Sequence, residues 1–209
     1  MAYRETEKMR QRKAQARKNI IECTWECVSE GGFRNARITR IASRAGVATG
    51  TIYRHFESRE ELFAEIFRMA TQREVDKVAE ALAIQGNAVA RLEKALRQFA
   101  YRALKAPMKA WALIAEPVDP KVEEERLVYR KAYANLFEQA IRNGIAEGGI
   151  PDQDARLTST CLVGAISESL VGPLSPTQAA ATQGHKNNED ELVDTIVCFC
   201  LQGLTGTRS

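Results

Sequence analysis

Apolar residues recur at helical spacing along most of this 209-residue chain, and that periodicity constrains the fold more than any other feature. The clearest run sets Val128/Tyr129, Ala132/Tyr133, Leu136/Phe137 and Ala140/Ile141 one turn apart and ends on Ile145. No strand-like alternation lasts more than a few residues, so the expected class is all-α. Nearly all prolines and many glycines fall between the periodic segments, where helices are punctuated.

The first helix is predicted over about Gln11–Glu30, with Ile20, Ile21, Thr24, Cys27 and Val28 inward and Gly31-Gly32 as its stop. A short second helix buries Ile38, Ile41, Ala42 and Ala45 before Gly46. A third covers about Thr49–Phe56, with Ile52 and Phe56 as its inward pair. Ser58 and Glu61 form a capping box that opens a fourth helix, running to about Leu82. Longer segments follow: Ala88–Leu104, the shorter "MKAWALIAE", and the periodic run already described. Another starts near Asp154, and a last one carries Leu192 to Leu201. "GPLSPTQAAATQGHKNNED" reads as a polar loop between the last two. A basic head, residues 1–60, is thereby set apart from a larger helical body, residues 61–209.

Charge follows the same division. Residues 1–60 hold 13 Lys/Arg against 7 Asp/Glu, a balance of +6, whereas residues 61–209 hold 17 against 20, a balance of −3. A basic front on a mildly acidic chain suits a polyanionic partner. No apolar run approaches the roughly 18 residues that cross a membrane, and the charged N-terminus lacks the core of a signal peptide. A soluble cytoplasmic protein without a membrane partner is expected. Cys23 and Cys27 share a helix side and read as small buried thiols rather than a metal or redox pair.

The second and third helices, joined by "RAGVAT", have the outline of a helix-turn-helix, whose second helix enters the DNA major groove by its N-terminal end. On the third helix Gly50 and Arg54 point away from the core, Thr51, Tyr53 and His55 lie on the flanks, and Thr49 sits at the tip. Gly50 permits close backbone approach, at a cost of about 1 kcal/mol relative to alanine in a helix. Arg54 has the reach for a guanine edge or a phosphate, and the hydroxyl and imidazole side chains suit phosphates.

The stretch "GGFRNARITRIASRAGVATGTIYRHFESREELFAEIF" resembles the DNA-binding head of the tetracycline-repressor (TetR) family of transcriptional regulators. The resemblance is dense from Ile20 to Phe67, roughly a quarter of the chain, and rests on Gly32-Phe33, "IASRAGV" and "GTIYRHF". It implies a three-helix head, a connecting fourth helix and a body of about five more, about nine in all. It also implies a homodimer on a double-stranded, palindromic operator, with an effector site in each body. Carried over residue by residue, it places DNA contacts on Thr39, Thr49, Gly50, Thr51, Tyr53, His55 and Arg59; Arg40 and Arg54 join them by their outward direction. Two positions depart from the family pattern. Arg37 and Ala48 stand where the second and third helices often have Thr or Ser caps, each worth about 1 kcal/mol. The basic run Arg10, Arg12, Lys13, Arg17 and Lys18 either adds phosphate contacts or forms a disordered tail.

In the family the last two helices build the dimer interface. Leu162, Ala165, Ile166, Leu170, Val193, Ile196, Val197 and Leu201 are the expected contacts, with core packing as their other use. The effector pocket is expected among the middle helices, lined by Phe99, Arg102, Trp111, Ile114, Arg126, Tyr129, Tyr133 and Phe137, with Glu116 and Arg130 as further polar ends. Such a lining suits a flat or long apolar ligand. The expected activity is therefore a repressor released from its operator by a small ligand. A regulator of the same fold without such an effector, or an activator, is the alternative. An enzyme is disfavoured: there is no nucleophile motif, phosphate loop or metal spacing, and His55 and His185 lie far apart. No catalytic residue, metal or cofactor is expected.

Overall fold

Gly31 and Gly32 break what would otherwise be one long N-terminal helix. In the computed structural model, which describes residues 7–179 and 189–206, α1 spans Glu7–Asn35. Its backbone leaves helical geometry at Gly31 (φ −169°, ψ 26°) and Gly32 (φ 76°, ψ −178°). The positive φ at Gly32 is one that side-chain-bearing residues seldom adopt. The elbow swings Phe33 inward, 3% exposed, against Phe63 and Phe67, with ring centroids at 5.3 and 6.4 Å. The basic N-terminal run from residue 7 onward continues α1 as exposed helix, so of the two expectations for it the tail does not describe these residues.

α2 (Ile38–Ala45) and α3 (Thr49–Ile52) follow, separated by the left-handed cap at Gly46. Neither Arg37 nor Ala48 caps its helix through a side chain, as their residue types foretell. α3 is shorter than the expected span to Phe56. After Ile52 the chain tightens into i to i+3 turns, Arg54 N–H to Thr51 O at 3.2 Å and His55 N–H to Ile52 O at 2.9 Å. Ile52 and Phe56 are still buried.

α4 (Arg59–Leu82) starts at Ser58, whose hydroxyl accepts the Glu61 N–H at 3.1 Å. Then come α5 (Ala88–Lys105), α6 (Pro107–Ile114), α7 (Pro120–Ala146), α8 (Ala155–Leu174), the single turn α9 (Pro176–Ala179) and α10 (Glu189–Thr205). Asn87, Asp119 and Asp154 cap α5, α7 and α8 through their side chains. The polar loop expected before α10 thus contains the end of α8, α9 and the first residues of α10; residues 180–188, with His185, lie outside the described residues.

Two apolar cores result. One joins α1 to α4 and takes in Ala112 of α6 and Val122 of α7, so residues 1–60 do not close the head's core alone. The other fills the body between α4, α5, α7, α8 and α10. α7 buries Phe137, Ala140 and Ile141, while Val128, from the same periodic run, is 61% exposed. α8 is more apolar than the reading of the sequence allowed. Ala155–Leu174 is long and apolar enough to cross a bilayer by length and composition alone (mean hydropathy 1.3), and 33% of its most apolar stretch is buried within the protomer.

Candidate DNA-reading face and ligand cavity

The helix-turn-helix presents its residues unevenly. Thr39, Thr49, Gly50, Tyr53, Arg54 and Arg59 are exposed, Tyr53 by 49%. A Cβ placed on Gly50 would meet nothing within 4 Å, so that backbone is open to a surface brought against it. Thr51 and His55 are half-buried. The imidazole Nδ1 of His55 is buried without a hydrogen-bond partner, and burial, then the charges of Lys13 and Arg17, push its pKa down. Arg59 lies over the Phe63 ring at 4.8 Å, with its side chain at the surface.

One expected DNA contact, and one cation of the basic extension, are already engaged within the protein. Arg40 pairs with Glu30 at 2.5 Å, which also holds Arg44 at 2.7 Å. In the basic extension, Arg17 forms a two-pronged pair with Glu65 of α4 and lies 4.8 Å over the Phe56 ring. Both are surface pairs, worth about 1 kcal/mol or less, so a phosphate can compete for either cation.

In the body a cavity of about 690 Å³ opens between α4, α5, α6, α7 and α8, with Trp25 of α1 at its edge. Six of the eight expected lining residues are there: Phe99, Arg102, Ile114, Arg126, Tyr129 and Tyr133. Phe99 and Tyr133 meet edge to face with centroids 5.6 Å apart. Trp111 and Phe137 are not part of the wall. Phe137 is sealed into the body core at 2% exposure, and Trp111 packs against that core from the side. Both belong to the right helices but lie on faces turned from the cavity. The sequence reading missed the whole α4 wall, Phe67 to Lys77, because α4 was taken as a connector. Its signal was visible: Ala70, Thr71, Glu74 and Lys77 recur at helical spacing. Burial pushes the Tyr133 phenol far above its usual range, so it is a neutral donor.

Glu116 is not a polar end of the pocket. It is 2% exposed, and its carboxylate accepts the backbone N–H of Phe33 at 2.8 Å and of Arg34 at 3.0 Å, just past the elbow. Arg126 lines the cavity and holds the loop that carries Glu116. Its guanidinium donates to the carbonyls of Leu113 at 3.2 Å, Ala112 at 3.4 Å and Glu116 at 2.8 Å, and to Glu123 at 2.5 Å. Burial lowers the Arg126 pKa, and the neighbouring carboxylate of Glu123 opposes that shift. One side chain thus touches both the cavity and the strut to the head.

Most of the expected dimer contacts take the other use expected of them, core packing. Leu162, Ile166, Leu170, Val193, Ile196 and Val197 are at most 5% exposed within the single chain, so their side chains are consumed by its own core. Ala165 and Leu201 are half-buried. The same two helices turn other apolar residues outward, with Leu157 61% and Phe199 68% exposed, beside Cys161, Gly164 and Cys198. Periodicity marked the helices and not which of their faces stays free. Cys23 and Cys27 are buried free thiols, their pKa raised chiefly by burial. Among the described residues, no group of three or more His, Cys, Asp or Glu is placed to hold a metal ion.

Comparison with known proteins settles the family. Residues 20–66 match the family described as "Bacterial regulatory proteins, tetR family", and residues 85–183 match "Tetracyclin repressor-like, C-terminal domain". The chain belongs to the TetR family. It is a DNA-binding, ligand-responsive transcriptional repressor of a non-enzymatic family. Among its relatives is the fatty acid metabolism regulator protein of Bacillus subtilis (strain 168), 26% identical over 159 residues, 72% of this chain and 79% of the relative. Another is the HTH-type transcriptional repressor KstR2 of Rhodococcus jostii (strain RHA1), 29% identical over 144 residues, 69% and 70% of the two chains. In fold the regulator is similar to FadR from Bacillus subtilis in complex with stearoyl-CoA. That match has a TM-score of 0.72 and 22% identity over 90% of this chain and 98% of the other.

Proposed function

We propose that the repressor is a homodimer that binds a palindromic operator and leaves it when a long-chain acyl thioester, or an amphipathic anion like it, enters each body. The observation that carries the ligand class is the cavity itself. Its interior is walled by Phe67, Phe99, Ile114 and Tyr133, and the cations Arg73, Lys105, Lys109 and Arg130 also stand on its wall. An apolar tail with an anionic head satisfies both halves. The volume falls within the usual 300–1,000 Å³ of ligand pockets. The likeness to a regulator bound to stearoyl-CoA supports the same class.

Head spacing supports the dimer. Two recognition helices reading successive major grooves must be held about 34 Å apart. The outward apolar residues Leu157 and Phe199, on helices α8 and α10, offer the surface to do so. An α8 whose most apolar stretch is two-thirds unburied in one protomer suits a helix covered by a second copy. We therefore read α8 as an interface helix and not a membrane anchor, and place the dimer in the bacterial cytoplasm with its DNA.

The route from ligand to head runs by two paths. α4 carries Phe63 in the head core and Phe67 on the cavity wall. Arg126 and Glu116 tie the cavity to the elbow after α1. A ligand that displaces either wall favours heads at another separation, and only its preference between the two arrangements drives release. The test is fluorescence anisotropy of a labelled fragment of the DNA beside the gene, titrated with stearoyl-CoA. Release at a stoichiometry of one ligand per protomer is expected; binding that stearoyl-CoA leaves unaltered would refute the ligand class.

A further inference from the structure

Thr71 sits in the middle of α4 and lines the cavity, only 5% exposed, and its hydroxyl has no hydrogen-bond partner. Helical Ser and Thr commonly return their hydroxyl to the carbonyl one turn back. This chain follows that habit elsewhere: Thr24 donates to Ile20 O at 2.6 Å, Ser29 to Trp25 O at 2.6 Å, Thr160 to Arg156 O at 3.1 Å and Thr195 to Glu191 O at 2.8 Å. Thr71 departs from it. By that habit its acceptor would be the Phe67 carbonyl, and the next carbonyl, of Arg68, accepts the Tyr129 hydroxyl at 3.0 Å. A buried hydroxyl without a partner is costly, and the cost is recovered when a bound molecule supplies one.

The position of Thr71 along the wall says which part of the molecule that is. Before it, α4 shows the cavity Phe67 and Ala70; after it, Arg73, Glu74 and Lys77. Along α4 the lining changes from apolar to charged at Thr71, and Arg126, the cation over Phe67, is held by the carbonyls of Ala112, Leu113 and Glu116. We propose that Thr71 donates a hydrogen bond to the acceptor at the junction between the apolar tail and the anionic head of the ligand, in an acyl thioester its carbonyl oxygen. This inference rests on the ligand class proposed above and adds the residue that distinguishes a carbonyl-bearing ligand from a plain alkyl one.

The experiment compares, by isothermal titration calorimetry, stearoyl-CoA with S-octadecyl-CoA, a thioether with the same tail and head but no carbonyl. The wild-type protein is expected to prefer the thioester by about tenfold. Thr71→Val should bring thioester affinity down to that of the thioether, while Thr71→Ser keeps the preference. The free Thr71→Val protein should melt at the same temperature as wild type or higher, because no hydrogen bond is removed. Equal wild-type affinity for both probes, or a preference that survives in Thr71→Val, overturns the role of Thr71 and leaves the ligand class standing. A large fall in melting temperature for Thr71→Val overturns it too, by showing the hydroxyl bonded in the free protein. Failure of wild type to bind either probe refutes the ligand class, and the inference with it.

Discussion

The carboxylate of Glu116 accepts the backbone N–H of Phe33 at 2.8 Å across 83 positions of sequence, and so fastens the body to the elbow of the head. Gly32 makes the approach possible. A Cβ at Gly32 would lie 2.5 Å from the Glu116 Oε2, on a backbone with φ +76°. Gly32→Ala therefore incurs both a clash and backbone strain, about 1–3 kcal/mol for the strain alone. Glu116→Ala strands two N–H groups beneath the elbow and should lower unfolding free energy by about 2–4 kcal/mol. Urea unfolding measures both. If Glu116→Ala unfolds at the wild-type denaturant midpoint, the carboxylate is not a strut.

Gly50 separates stability from recognition. Nothing lies within 4 Å of a Cβ built there, so Gly50→Ala has no internal clash. Helix propensity favours the alanine by up to about 1 kcal/mol. The methyl group would stand between the backbone and the DNA. The expected outcome is an equal or higher melting temperature with weaker operator binding. Tyr53→Ala, at an exposed side chain, should likewise weaken operator binding with little change in melting temperature. Salt-titrated anisotropy beside thermal melts checks both variants, and a parallel loss of stability and affinity would argue against a reading role for either residue.

His55 gives the head a pH dependence with a definite sign. Its folded pKa lies below the usual 6.5 through burial and the charges of Lys13 and Arg17. Above 6.5 the imidazole is neutral folded and unfolded, and it contributes nothing. As pH falls below 6.5 the unfolded chain takes the proton first, so stability declines until the folded pKa is reached. Melting temperatures of DNA-free protein between pH 7.5 and 5.5 should fall more steeply for wild type than for His55→Asn. Parallel slopes would place the sensitive group elsewhere.

The head was legible in the sequence because its signals are local. Ser58 and Glu61 lie three apart, Gly46 caps α2, and Ile52 and Phe56 share a face, so a short window contains each device. The Glu116 strut was not legible, since no local pattern links it to Phe33, and a buried carboxylate reads in sequence like any solvated one. Arg126 was expected among the pocket residues from its place on α7, but its grip on the Ala112, Leu113 and Glu116 carbonyls depends on how α6 ends against α7. Leu162 and Phe199 show the same boundary in the body. Both lie on apolar helices, yet only packing decides that one fills the core and the other faces outward.

That contrast yields a paired test of the dimer. Phe199 is 68% exposed, so Phe199→Asp removes no core contact and should leave monomer stability within about 0.5 kcal/mol. Leu162 is 4% exposed, and Leu162→Ala should cost about 2–5 kcal/mol. In analytical ultracentrifugation Phe199→Asp is expected to sediment as a monomer and to lose tight operator binding, because the two heads are no longer held at one spacing. Leu162→Ala should stay dimeric at temperatures where it is folded. A Phe199→Asp protein that remains a dimer would move the interface away from this face.

Tail length tests the apolar half of the cavity. Each methylene taken from water contributes about 0.8 kcal/mol, close to a fourfold gain in affinity. Across a series of saturated acyl-CoA thioesters, affinity should climb by about that factor per carbon until the tail fills the cavity, then level off. The volume of about 690 Å³ sets a limit on the length accommodated. A bulkier residue on the wall should move the plateau to shorter tails. Ala103→Leu, on α5 and 7% exposed, does this without touching a charge. Calorimetry on C8 to C20 thioesters reads the slope and the break. A flat dependence on length would mean that the tail stays outside, and that the cations alone hold the ligand.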